Sequence, residues 1–145
     1  MKLSEHFTLA EFTDSDYALR HGIVNMPSPN ILGNLKQTAD SMEKVRTLLN
    51  APIDISSGYR SPTLNLSIGG SKTSAHCLGF AVDFKAKQFG TPLDIVRKIK
   101  SSGIQYDQLI FEGSWVHISF SPPLRQQTLS AIFDARGRVT YKAFE

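Results

Sequence analysis

The sequence predicts an α+β fold, with a mostly antiparallel sheet flanked by helices. Two observations predict it. In the front of the chain, apolar residues recur near helical period at Ile31, Leu35, Met42, Val45, Leu48 and Leu49. Toward the end the pattern changes to short apolar runs joined by glycine-containing turns, as in β-hairpins.

The elements follow in order. Thr8-Leu9-Ala10-Glu11 has capping-box spacing and predicts a short helix to Ala18 or Leu19, with Gly22 just past its end. Pro27-Ser28-Pro29 breaks the chain. Ser28 then caps a long helix that reaches about Asn50. Ile53 to Ser57 reads as a strand closed by Gly58, and Ser61-Pro62 opens a short helix over Leu64 to Ser67. Gly69 to Lys72 is loop. Ala81 to Phe84 is apolar with one carboxylate, Asp83, inside it, which predicts a central strand with a functional end. Thr91-Pro92 caps a helix to about Ser101, ended by Gly103. Asp107 to Phe111 and Trp115 to Phe120 form a hairpin around Gly113-Ser114. Ser130 to Phe133 and Val139 to Phe144 form a second one through Arg136-Gly137-Arg138.

Composition narrows the function classes. At this length, one domain over residues 1–145 is the simplest organisation. The hydrophobic share of 41% and charged share of 20% are those of a soluble globular chain. The single cysteine, Cys77, excludes an internal disulfide. A formal charge of +3 is too weak and too scattered for nucleic-acid binding, yet it favours an acidic polymer such as a bacterial cell wall. The opening residues lack the apolar stretch of a secretory signal, and no segment is long enough to span a bilayer.

The chemistry concentrates in two stretches. Ser74-Ala75-His76-Cys77-Leu78-Gly79-Phe80-Ala81-Val82-Asp83 places a histidine seven positions before a carboxylate. Trp115-Val116-His117 supplies a second imidazole. Two imidazoles and one carboxylate make three corners of a zinc tetrahedron, and the open fourth corner marks a catalytic site. Strand alternation points Trp115, His117 and Ser119 toward a cleft and Val116, Ile118 and Phe120 into the core. Cys77 is expected to diverge from the site. His6 and His21 have no metal spacing and read as surface or capping residues.

The chain resembles the M15 zinc peptidases, the D-alanyl-D-alanine carboxypeptidase group, and most closely the small branch found in phages and prophages. The matching pieces are Ser57-Gly58-Tyr59-Arg60-Ser61-Pro62, the Ser74-to-Asp83 stretch, Asp107-Gln108-Leu109-Ile110 with Glu112, and Trp115-Val116-His117. The opening Leu3 to Phe12 is similar as well. The resemblance implies the α+β zinc fold shared with the amino-terminal domain of hedgehog proteins. It implies that His76, Asp83 and His117 bind Zn2+ and that Arg60 faces the substrate. Ser74 would either bond substrate or brace its loop, and Trp115 would line the binding cleft.

The sequence departs from that family at the general base. Many members carry an acidic residue three positions before the last histidine, where this chain has Ser114. Glu112 is the nearest carboxylate and Asp107 the next. The implied function is a peptidase acting on peptidoglycan stem peptides, as a phage or prophage endolysin or a D,D-carboxypeptidase. Such an enzyme would be a monomer that waits in the cytoplasm until released to the wall. The other reading is a zinc-bound cell-wall or virion-associated protein without catalysis, which applies if neither carboxylate serves as base.

Overall fold

The computed structural model describes residues 1–145. Helix α1 (Leu9–Thr13) starts at the expected capping box, in which Thr8 and Glu11 satisfy each other's backbone N–H. It ends five or six residues earlier than the sequence suggests. Asp14 is extended, and Ser15 opens a separate helix α2 (Asp16–Arg20) by accepting from the Ala18 N–H. Short polar side chains compete for backbone donors in this way, which makes them better caps than helix interiors. Helix α3 (Pro29–Leu49) runs from the Ser28 cap to Asn50, which is left-handed at φ 48°. Its buried side chains include Leu35, Ala39, Met42, Val45 and Leu49.

Six strands form one mixed sheet: β1 (Asp54–Ser57), β2 (Ala81–Lys85), β3 (Gln108–Phe111), β4 (Val116–Ser119), β5 (Gln127–Phe133) and β6 (Val139–Ala143). The spatial order is β1-β2-β4-β3-β5-β6. Every pairing is antiparallel except β3 with β5, which is parallel. The final hairpin therefore extends the main sheet. Residues after β4 carry the chain around the start of β3, where Gln126 N–H donates to Tyr106 O at 2.9 Å and Gln127 N–H to Asp107 O at 2.9 Å. The parallel register also begins β5 at Gln127, three residues before the predicted start.

Helix α4 (Pro62–Ser67) starts at the Ser61 cap, and helices α3 and α5 (Pro92–Lys100) pack with the sheet. Leu35, Met42, Ile95 and Ile99 share one core with Val82, Phe84, Leu109, Val116 and Ile118. Burying each such side chain contributes roughly 1.5–3 kcal/mol. The opposite face carries an unbroken row across the sheet: Ser57, Asp83, His117, Ile110, Leu129 and Ala143 are successive register partners. Ser119 departs from the sequence expectation. It is buried, and its hydroxyl accepts from Gln108 N–H at 3.1 Å instead of facing the cleft.

Two glycines permit the close approaches that shape the region around His76. A Cβ on Gly58 would stand 2.5 Å from the Phe12 carbonyl oxygen, because the end of α1 lies directly on it. Gly79 has φ +77°, and its Cβ would meet Ile31 at 3.1 Å and Leu35 at 3.2 Å. Left-handed backbone costs an L-residue roughly 1–2 kcal/mol. Gly79→Ala is therefore expected to lose at least about that much stability, with further loss from the α3 contact. Denaturant unfolding checks this; a midpoint equal to wild type would refute it.

Candidate metal centre

His76 lies on a short 3₁₀ turn, Ala75–Leu78. The Ser74 side chain caps the turn by accepting from His76 N–H at 3.2 Å, and left-handed Gly79 closes it. Ser74 thus braces the turn, and it also lines the adjoining cleft. Hydrogen bonding orients the His76 ring as well. Its Nδ1 donates to the Gly58 carbonyl oxygen at 2.6 Å. That bond leaves Nε2 as the nitrogen with a lone pair, the outer-shell arrangement that aims metal-ligating histidines. Asp83 and His117 are direct register partners on adjacent strands.

The three side chains converge. Asp83 Oδ1 lies 2.9 Å from His117 Nδ1 and 3.3 Å from His76 Nε2. The histidine ring centroids are 5.1 Å apart. One ligand atom from each residue falls within 4.8 Å of the others, so the group can hold a metal ion. Cys77 is not part of it.

The electrostatics suit a cation. Burial pushes the His76 pKa down, against the opposing pull of Asp83, and so favours the neutral ring that donates a lone pair. Burial alone would raise the Asp83 carboxyl, but the hydrogen bond with His117 and the adjoining His76 ring outweigh it and hold Asp83 well below the usual carboxylate range. The site is therefore one anionic carboxylate between two imidazoles, a donor set suited to zinc.

The ligands open onto a cleft of about 1180 Å³ that also takes in Arg60, Glu112 and Trp115. Another cavity, of about 730 Å³ and lined in part by Gln37, Lys44 and Phe80, holds none of the three converging residues. Arg60 Nε is buried without a hydrogen-bond partner, an orphan donor on the cleft wall. Glu112 stands at the end of β3, where its backbone N–H bonds Trp115 O at 3.1 Å. Burial raises its pKa and the charge of Asp83 raises it further, with His117 opposing. Asp107 is differently placed. Its carboxylate accepts from Arg125 Nε and a terminal guanidinium nitrogen, both at 2.8 Å, and from the Arg125 backbone at 3.0 Å. The Arg125 bonds hold its pKa below the ordinary value. Asp107 is thus committed to an ion pair, whereas Glu112 is the carboxylate that stands free beside the converging residues.

The cleft also contains residues with no local signal in the sequence. Leu129, Phe133, Val139 and Tyr141 line it from the final hairpin, and Arg125 from the segment before β5. Only the parallel pairing of β3 with β5 brings them there.

No helix is long and apolar enough to cross a membrane. The chain matches the family described as Peptidase M15 over residues 5–119. Among curated proteins, none matches it.

Proposed function

This chain belongs to the peptidase M15 family, and from that premise we propose that it is a zinc-dependent peptidase hydrolysing the peptide stems of bacterial peptidoglycan. The convergence of His76, Asp83 and His117 at an open cleft carries this reading. His76 through Nε2, Asp83 through a carboxylate oxygen and His117 through Nδ1 would hold Zn2+ in one domain spanning residues 1–145. We assign the fold to the zinc fold shared with hedgehog amino-terminal domains. When bound, the metal supplies a Lewis acid and lowers the pKa of water to roughly 7.

The chain's own residues take the remaining tasks. Glu112 accepts the proton of the attacking water and returns it to the leaving amine, as a general base poised by a raised pKa. Arg60, with its orphan Nε, binds a stem-peptide carboxylate or the developing oxyanion. Trp115 forms cleft wall against the peptide. Ser74 keeps the His76 turn in place and contacts substrate at its rim. The biological role proposed is that of a phage or prophage endolysin-type endopeptidase or a D,D-carboxypeptidase, working as a monomer and passing from cytoplasm to wall on release.

Purified peptidoglycan treated with the zinc-loaded protein tests this, read by mass spectrometry of released fragments. Release of defined stem peptides, abolished by a chelator and restored by zinc, is the expected result. The fragment masses name the bond: L-alanyl-D-glutamate, D-alanyl-diaminopimelate or D-alanyl-D-alanine. The second reading, a non-catalytic zinc protein of wall or virion, is favoured by Ser114 at the usual acidic position. Zinc retention without release would select it.

A further inference from the structure

The family match ends at residue 119, before the β5–β6 hairpin begins at Gln127. That hairpin nevertheless supplies one side of the metal cleft. Its exposed apolar groups are numerous: Ile132, Phe133, Val139 and Tyr141 are each at least 41% exposed. Side-chain alternation sorts them. Leu129, Ala131 and Phe133 share a face with their partners Ala143, Tyr141 and Val139. This is the face that carries Ile110, His117 and Asp83, and Leu129 is the register partner of Ile110. The apolar surface is thus continuous with the proposed catalytic floor.

Register also sets Tyr141 in line with Glu112. Phe111 pairs with Ser130, so the next step of the parallel ladder sets Glu112 beside Ala131, and Ala131 pairs with Tyr141. The methyl group of Ala131 is too small to fill the space between them. Both Glu112 and Tyr141 line the cleft. The negative charges of Glu112 and Asp83 add to partial burial in raising the Tyr141 pKa, so the phenol keeps its proton and remains a donor. Its hydroxyl makes no hydrogen bond within the chain, whereas the buried Tyr106 hydroxyl is paired with Thr128 Oγ1 at 2.6 Å.

We propose that Tyr141 is a substrate-contacting residue of this cleft, its phenol donating a hydrogen bond to a carbonyl oxygen of the stem peptide beside Glu112. Phe133 and Val139 form the adjoining apolar wall, which receives the alanyl methyl groups and the carbon stems of the longer side chains. This rests on the peptidase reading and extends it to a segment beyond the matched region. A neutral hydrogen bond to a bound substrate changes recognition more than fold, so the conservative variant separates the two.

The test compares wild type, Tyr141→Phe and Val139→Ser as zinc-loaded proteins on one stem peptide, with thermal unfolding and metal content measured alongside. Tyr141→Phe is expected to lower kcat/KM about 5–20-fold, the worth of one donor lost from a polar contact. Its unfolding midpoint and zinc content should stay at wild-type values. Val139→Ser is expected to raise KM with little change in kcat. Wild-type turnover with unchanged kcat/KM in both variants would overturn the proposal and leave the peptidase reading standing. No turnover and no stem-peptide binding by wild type would overturn the peptidase reading, and this proposal with it.

Discussion

Replacing either His76 or His117 with alanine is expected to strip the protein of bound zinc and of peptidase activity together. Loss of an outer-shell partner typically costs a metal site 10–100-fold in affinity, and loss of a ligand should exceed that. The two variants should differ in stability. His76 is 2% exposed and hydrogen-bonded to Gly58 O, so His76→Ala leaves a buried carbonyl unsatisfied and opens a cavity. The orphan carbonyl alone should cost roughly 1–3 kcal/mol in the metal-free protein. His117 is more accessible, and His117→Ala should unfold closer to wild type. Atomic emission gives the zinc content, and denaturant unfolding gives the stability. Zinc equal to wild type in both variants would exclude this ligand set. Cys77→Ser serves as the neighbouring control and is expected to keep its zinc.

Glu112→Gln should separate chemistry from metal binding. Zinc content is expected to stay at the wild-type level, while kcat falls about 10²–10⁴-fold, the usual contribution of a positioned general base. The acid limb of the pH–rate profile should disappear from whatever rate remains. The stability effect has a definite sign. In the metal-free protein, burial and the charge of Asp83 raise the Glu112 pKa. A carboxyl raised on folding favours the fold while protonated and opposes it once ionised, above its unfolded value. At neutral pH the uncharged glutamine should therefore leave the metal-free protein at least as stable as wild type. A full catalytic rate in this variant would remove Glu112 as base and, with Asp107 held by Arg125, turn attention to the non-catalytic reading.

Much of the fold is legible in the sequence because caps act locally. Thr8 with Glu11, Ser28 with the Ile31 N–H, and Thr91 with Asp94 each satisfy backbone groups within three residues, and each helix starts where its cap stands. The split between α1 and α2 is less legible. Ser15 serves equally as a mid-helix residue or as a new cap, and the choice depends on what packs around it. The 3₁₀ turn under His76 is hidden for a similar reason, since its Gly79 end is set by contact with Ile31 and Leu35 on α3.

At the site, sequence spacing alone singles out His76, Asp83 and His117, because few residue types bind metal and strand alternation sends His117 away from the Val116–Ile118 core face. Sequence also identifies Glu112 and Asp107 as the nearby carboxylates, but not which of them is free. Tertiary structure decided that by bringing Arg125 onto Asp107 across the start of the sheet. It likewise decided that Gly58 O orients His76, that Ser119 is buried, and that the last hairpin joins the cleft through the β3–β5 pair. The physical reason is the range of the interactions. Caps and alternation are fixed by neighbours along the chain, whereas a parallel strand pair or a guanidinium fork forms between distant segments and leaves no periodic trace in either.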